Sequence, residues 1–594
     1  MKRLGLFVFY DKDNYVDDYV LYMLDDLKKN INDLIIICNC KLNNIEKSKL
    51  KKYTNKIILR ENKGLDAGAL YEYFNSTDEY KKYDELVYLN DTFFGPFYPF
   101  KTIFNKMKTR DNIDFWGLSL GHKQKYEGID KNRKIIDEHI QTFFMVFKNK
   151  VLISDAFNNY WKNYDYKNML YFNDIVDKHE TFFTQYLVNN GFKFDSYIED
   201  TLHSKDYKRN FNNYFYNPSY QIIKDNSPFI KRKMFSYSDG IMSLLSDNNE
   251  LRISMNYIEN KTNYDTSLIW KNLLRYYNLH TLSTSYGFNE CISLSNNSHN
   301  VSGLILLNNS YFINDVKNII NYFNDTYIIT FRNDIYKKCI KNNFNIKLIN
   351  KNNTHFIKEC ISNIKSDYLC FLNLYENLEN ITLIDSTECQ TIFDNILKSK
   401  EHLNGTIDII ENKNISMAYV PENNNYDKFY LNLFWKEKIY NYISNINTKY
   451  KLLNFNMPPV SFSTSFVVKK SVLNHLNFKK WSKMSFEDFI QVLAISLSYY
   501  GASDYQRPII AYDKDYLIYK FNNFENIYKT TYRKLYTNNC LPATFYEVKE
   551  TISNLKLQHT FKKTLYNYLL NHFYYPIRNR YRKLIKYLKR IIGG

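Results

Sequence analysis

Four groups of residues have the types and spacing to do chemistry. Asn90-Asp91-Thr92 directly follows the apolar run DELVYLN, residues 84–90. Open α/β sheets bind ligands beyond the carboxyl ends of their strands, and a carboxylate there can hold a divalent cation against a pyrophosphate. Asp91 suits that task, but taken alone the plainer reading is that it caps a turn before Gly95-Pro96. Asn62-Lys63-Gly64-Leu65-Asp66-Ala67-Gly68 lies just upstream, between a predicted strand and a predicted helix. Gly64 and Gly68 permit close backbone approach, the helix start offers free N–H groups to an anion, and Lys63 adds positive charge. An ordinary glycine loop with Asp66 as N-cap reads the same way, and the spacing is neither a Walker motif nor a dinucleotide fingerprint. Glu180 precedes an apolar helical stretch ending at Gly191. Facing a donor, its carboxylate would take the proton of an acceptor hydroxyl; otherwise it is a first-turn acid favoured by the helix dipole. His203, downstream of Glu199 and Asp200, is either an extra metal or phosphate contact or a surface histidine.

These residues need elements to position them. Residues 3–10, 33–38, 56–59 and 84–90 read as short buried strands, with helical periodicity at 15–29, 45–52 and 67–75 between them. Alternating strands and helices predict a largely parallel α/β sheet. The same order returns later, with strands at 301–308, 326–331, 345–349 and 367–373 and helices at 311–322, 333–342 and 354–364. TFFMVFKNKVL at 142–152 is echoed by TSFVVKKSVL at 464–473, and the stretch 179–191 by 486–501. The expectation is two copies of one Rossmann-like architecture. Residues 1–235 form the first domain, 236–298 a helical connector, 299–520 the second domain and 521–594 a helical basic tail. In that tail Arg578, Arg580, Arg582, Lys583, Lys586, Lys589 and Arg590 alternate with apolar residues at helical spacing. Such a helix either docks on the protein or anchors it peripherally to acidic lipid.

The composition narrows the classes. The 594 residues exceed one hydrophobic core, and 44% apolar content excludes general disorder. A net charge of +18 suits nucleic acid, phospholipid or phosphorylated substrates. No RNA-binding signature, zinc-finger spacing or helix-turn-helix is present, so no nucleic acid partner is expected. Eight scattered cysteines without metal spacing predict reduced thiols. The opening apolar run is short and is followed at once by Asp11 and Asp13, which fits a first strand better than a signal peptide. No apolar stretch is long enough to span a bilayer.

Taken together, the segments resemble the rhamnan synthesis F family of bacterial polysaccharide glycosyltransferases. The resemblance rests on FVFYDKDNYVDDYVLYML near the start, ENKGLDAGA at 61–69, YDELVYLNDTFFGPFYP at 83–99 and DFWGLS at 114–119. It continues through HIQTFFMVFKNKVL at 139–152, FFTQYL at 182–187 and PFIKRKMF at 228–235, with weaker matches at 262–275 and 457–473. It implies GT-A-type folds and transfer from a nucleotide-sugar donor to a glycan or lipid-linked glycan. On the same resemblance, Asp91 of the Asn90-Asp91 pair would bind the metal, Mg or Mn. Tyr10, Asp11 and Asn39 would line the nucleotide end; Asn62, Lys63, Gly64 and Asp66 would contact the donor; Glu180 would be the base. Rhamnose is the family's nominal sugar. The second copy departs from the pattern, because Asn373-Leu374 stands where Asn90-Asp91 stands in the first and no Gly-Asp loop precedes it.

The leading expectation is therefore an inverting, metal-assisted glycosyltransferase, cytoplasmic and peripheral at the inner face of the membrane. Its second half would be degenerate, binding acceptor or scaffolding. The rival is a non-catalytic glycan- or nucleotide-binding assembly protein, which the altered second copy favours and the intact first copy opposes.

Overall fold

The structure is a computed structural model. It describes residues 1–121, 123–125, 133–166, 175–198, 223, 226–235, 249–277, 282, 286, 288–350, 354–374, 383–420, 463–478, 481, 484–503 and 506–518. The tail from 521, and with it the basic helix, lies outside the described residues, as do Glu199, Asp200 and His203. The described chain forms two compact units, the first of Met1–Asn272 together with Tyr286 and the second of the described residues from Leu273 onward apart from Tyr286.

In the first unit the principal strands are β1 (Arg3–Phe9), β2 (Asp33–Cys38), β3 (Ile57–Leu59), β4 (Glu85–Asn90), the short β5 (Phe93–Phe94), β6 (Phe115–Gly117), β7 (Phe144–Lys148), β8 (Phe194–Ser196) and the short β9 (Ile230–Lys231). The helices that position the site are α1 (Asp18–Lys28), α2 (Asn44–Lys51), α3 (Leu65–Ser76), α4 (Phe100–Lys108), α5 (Asp155–Asn163) and α6 (Thr181–Asn189). The sheet runs β8-β6-β7-β4-β1-β2-β3. Its right half, β4-β1-β2-β3, is parallel, because each connection carries a crossover helix. β7 runs antiparallel to both β4 and β6, so the sheet is mixed where the sequence pattern predicted it largely parallel. Every residue of β4 is buried, as a central strand covered on both faces requires. One face packs α3, α5 and α6 through an aromatic cluster in which Phe74, Tyr80, Phe157, Trp161 and Phe183 lie ring against ring.

Helices α7 (Asn249–Lys261) and α8 (Ser267–Tyr276) follow. The second unit contains β10 (Asn289–Cys291), β11 (Val301–Leu307), β12 (Asp325–Thr330), β13 (Ile346–Leu348), β14 (Tyr368–Leu374), β15 (Met417–Tyr419), β16 (Phe466–Lys469) and β17 (Ile509–Tyr512). Its sheet runs β10-β17-β15-β16-β14-β11-β12-β13. Strand for strand this repeats the first sheet, including the antiparallel β16 between β14 and β15. β10 lies in the stretch assigned to the connector; it adds an edge strand beside β17. Among the described residues the cysteines are free, and no helix is long and apolar enough to cross a membrane.

Candidate functional site

The two halves of the Asn-Asp pair go to opposite faces of the first sheet. Side chains alternate along a strand, so Asn90, the last residue of β4, and Asp91, the next, diverge. Asn90 turns toward α3. Its Nδ2 donates to Asp66 Oδ2 at 3.0 Å, and its Oδ1 accepts from the backbone N–H and the hydroxyl of Thr92. Tyr88, two residues earlier on the same face, donates its hydroxyl to the same Asp66 oxygen at 2.9 Å. The glycine loop delivers Asp66 to that point. Gly64 and Leu65 are both left-handed, with φ of 68° and 50°, and Gly68 sits so close beneath that a Cβ on it would stand 2.2 Å from the Lys63 carbonyl. Asn39, buried at the end of β2, donates to Leu65 O, while Arg60 bonds Asn39 and Lys63 O and pairs with Glu72. Asn39 and Arg60 thus brace the loop from behind.

Glu180 closes a single turn of π-helix, Val176–Glu180, that opens α6. Such turns displace one side chain out of helical register. The Glu180 carboxylate accepts from the Thr142 hydroxyl at 3.0 Å. Beside it His179 is buried among Tyr160, Trp161, Tyr164 and Phe183, with the Tyr160 hydroxyl 2.9 Å from Nδ1. Burial pushes its pKa down to about 4, so the ring is neutral packing that fixes the turn. Arg133 pins the same turn through Asp177 O and Thr181.

Sequence reasoning missed Lys231, Arg232 and Lys233 as functional residues. β9 pairs antiparallel with β5, directly after the Asn-Asp pair, and the Arg232 N–H bonds Thr92 O. Lys231 lies over the Phe143 ring at 3.6 Å. Burial pushes its pKa down to about 8, against the charges of Glu180 and Asp66, which act to raise it. The charge of Lys233 acts on Lys231 and feels the same two carboxylates. Arg232 goes the other way, to Asp91. The only sign in the sequence was the basic triplet in PFIKRKMF.

On the α1 face Asp91 is buried. Its Oδ2 accepts from Arg232 Nη1 at 3.1 Å, its backbone oxygen from the same nitrogen at 3.0 Å and from the Tyr19 hydroxyl at 3.1 Å. Burial pushes the carboxyl up to about 6; Arg232 pulls it down, and the charge of Asp11 adds to the rise. Asp11 is buried too, its Oδ1 accepting the N–H groups of Asp13 and Tyr15. Tyr10 is 39% exposed. Lys63 stands in solvent, paired with Glu61 at 2.7 Å. Asn62 Oδ1 is buried without a hydrogen-bond partner. The structure therefore gathers Asp66, Asn90 and Glu180 with Lys231 on one side of the strand end, and Asp11 with Asp91 on the other.

The donor set around Asp91 does not fit a divalent cation as it stands. A guanidinium already engages Asp91 Oδ2, and a cation held at about 2.0–2.6 Å from either carboxylate oxygen would stand beside that positive charge in a buried space. Among the described residues, the His/Asp/Glu group that could hold a metal is His299, Asp408 and Glu411, in the second unit. There His299 Nε2 lies 2.8 Å from Asp408 Oδ1, and Tyr368 donates to Glu411. At the end of β14, Asn373 stands where Asn90 stands on β4, and Leu374, fully buried, belongs to the apolar core.

The family described as Rhamnan synthesis protein F matches residues 34–490. The virulence protein VirA of Vibrio anguillarum is 23% identical over 262 residues, covering 39% of this chain and 79% of that protein. Among solved structures, the 4-diphosphocytidyl-2C-methyl-D-erythritol synthase of Anaerococcus prevotii aligns at 14% identity with a TM-score of 0.23, over 33% of this chain and 88% of its own. The glycosyltransferase GlyE of Streptococcus pneumoniae aligns at 12% identity with a TM-score of 0.20, over 68% of this chain and 90% of its own.

Proposed function

The chain belongs to the rhamnan synthesis protein F family, and from that premise we propose that its first unit is a GT-A-like transferase. It moves a sugar, rhamnose being the family's nominal one, from a nucleotide-linked donor to a growing surface polysaccharide. The observation that carries this reading is the convergence of Glu180, Asp66, Asn90 and Lys231 at the carboxyl end of β4, where open α/β sheets bind their ligands. The glycine loop at 62–68 and the start of α3 take the diphosphate side, with Tyr10, Asp11 and Asn39 toward the base. The acceptor hydroxyl gives its proton to Glu180 as its oxygen bonds the anomeric carbon. The bond from that carbon to the phosphate oxygen breaks, and its electron pair leaves with the nucleoside diphosphate. One displacement inverts the centre.

A hydroxyl is too weak an acid to react without a base, and a positioned base contributes about 10²–10⁴-fold. The test is release of nucleoside diphosphate from a panel of nucleotide sugars. Glu180→Gln should lower turnover within that range and leave donor affinity unchanged. Wild-type turnover in the variant would move the base elsewhere.

The second unit we read as degenerate, since Leu374 offers neither charge nor lone pair where Asp91 stands in the first. This favours a binding or scaffolding role for that half. The rival reading of the whole chain as a non-catalytic assembly protein predicts no turnover with any donor.

A further inference from the structure

We infer that the donor site of the first unit carries its positive charge on the chain itself, on Lys231 and Lys233, and that Asp91 is a positioning residue that holds this basic segment through Arg232. This rests on the transferase reading and departs from the metal-assisted chemistry that the Asn-Asp pair suggested.

The argument begins with what a donor needs. A departing nucleoside diphosphate develops negative charge, and a preorganised cation beside it lowers the barrier. A divalent ion on Asp91 is one way to supply that cation. In this fold the carboxylate is engaged by Arg232 at 3.1 Å, and Arg232 also donates to Asp91 O at 3.0 Å and to the Tyr19 hydroxyl at 2.6 Å. Three contacts from one guanidinium nitrogen, all in buried surroundings, make a clamp. The backbone reinforces it: Arg232 N–H bonds Thr92 O, β9 pairs with β5, and Phe94 packs on Phe235 at the far end of the segment. Arg232 and Lys231 are adjacent, so anchoring one on the α1 face sends the other to the opposite face. There Lys231 meets Phe143, whose ring holds it at 3.6 Å, and its ammonium shares the neighbourhood of Glu180 and Asp66 with Lys233. Lys231 and Lys233 bring two positive charges to this face, as many as one divalent ion would, while the charge of Arg232 is matched by Asp91 on the other.

Two measurements test this on the full chain. The first is Mn²⁺ titration by electron paramagnetic resonance on the wild type and Asp91→Asn. The expected result is the same number of bound ions in both, since any ion at His299, Asp408 and Glu411 is common to them. Loss of one bound ion in Asp91→Asn, with a native circular dichroism spectrum at the titration temperature, overturns the inference. The second is binding of uridine, thymidine and guanosine diphosphates by calorimetry, with EDTA and then with Mn²⁺. Affinity should be the same in both conditions, and Lys231→Gln/Lys233→Gln should weaken it at least tenfold at unchanged melting temperature. Binding that vanishes in EDTA, or that survives the double substitution, overturns the inference and leaves the transferase reading standing. If no diphosphate binds under either condition, the transferase reading falls and this inference falls with it.

Discussion

Replacing Arg232 by Met tests the clamp directly. The substitution keeps an apolar stem and removes the guanidinium from Asp91, Tyr19 and the Asp91 carbonyl. Breaking a buried pair on one side typically costs about 3–5 kcal/mol, because the remaining charge is left without compensation. For a unit of this size each kcal/mol shifts the melting temperature by about 2–4 °C, so a drop of about 6–20 °C is expected at pH 8. The pH dependence supplies the sign. Burial already raises the Asp91 carboxyl from 3.8 to about 6, and removing Arg232 removes the pull that opposes this. The folded state therefore holds a proton that the unfolded state has released. Stabilisation from that proton is complete below the unfolded value and is lost as pH rises through the folded one. At pH 5 the carboxyl of Arg232→Met is neutral, and the deficit should shrink to that of an unsatisfied polar group, about 1–3 kcal/mol. Asp91→Leu/Arg232→Met, which removes both charges, should melt closer to the wild type than either single variant. Scanning calorimetry of the full chain at pH 8 and pH 5 makes the measurement. A drop below 2 °C at pH 8, which is less than the cost of about 1 kcal/mol, would refute the clamp, as would a deficit that does not change with pH.

Three further outcomes follow from the same geometry. Lys231, facing Glu180, Asp66 and Lys233, loses its charge as pH rises through about 8, so diphosphate affinity should be highest below that value and fall by pH 9.5; a flat profile removes Lys231 from the site. Gly68→Ala puts a Cβ 2.2 Å from the Lys63 carbonyl, so the loop at 63–65 must shift; diphosphate affinity should fall while circular dichroism stays native, and unchanged affinity would separate that loop from the donor. Deleting residues 576–594 removes seven cations, each worth about 1 kcal/mol near an acidic surface; sedimentation with anionic vesicles at low salt should drop, and equal sedimentation would refute the anchor.

Much of the fold was legible in the sequence because its signals are local. β1, β2 and β4 are continuous apolar runs, and their alternation with helices identifies a parallel core. The internal repeat was legible for the same reason. The antiparallel β7 was not, since strand direction depends on which neighbour a strand meets and leaves no mark in its own composition. The site divides likewise. Asp66 and Asn90 lie 24 positions apart on consecutive elements of one βαβ unit, so their meeting follows from the order of elements. Arg232 and Asp91 are 141 positions apart, and β9, which joins them, has two residues, too few to show a period. The Asn-Asp pair was read as one unit because its members are adjacent; a strand sends adjacent side chains to opposite faces, so it serves two places.

The duplicated sheet gives this chain an internal control. The same order of strands ends once in Asn90-Asp91 and once in Asn373-Leu374, so one scaffold is present in a charged and a neutral version. Whatever the architecture requires for its own sake must be common to both. The asparagine is shared, although in the first unit it also holds Asp66; the aspartate, with its distant arginine, is peculiar to the first. Transplanting the pair is then an experiment with a built-in standard. Leu374→Asp alone would bury a charge in the core of its unit, and tolerance would require a basic partner delivered from elsewhere in the chain, as the segment 231–233 is delivered to Asp91.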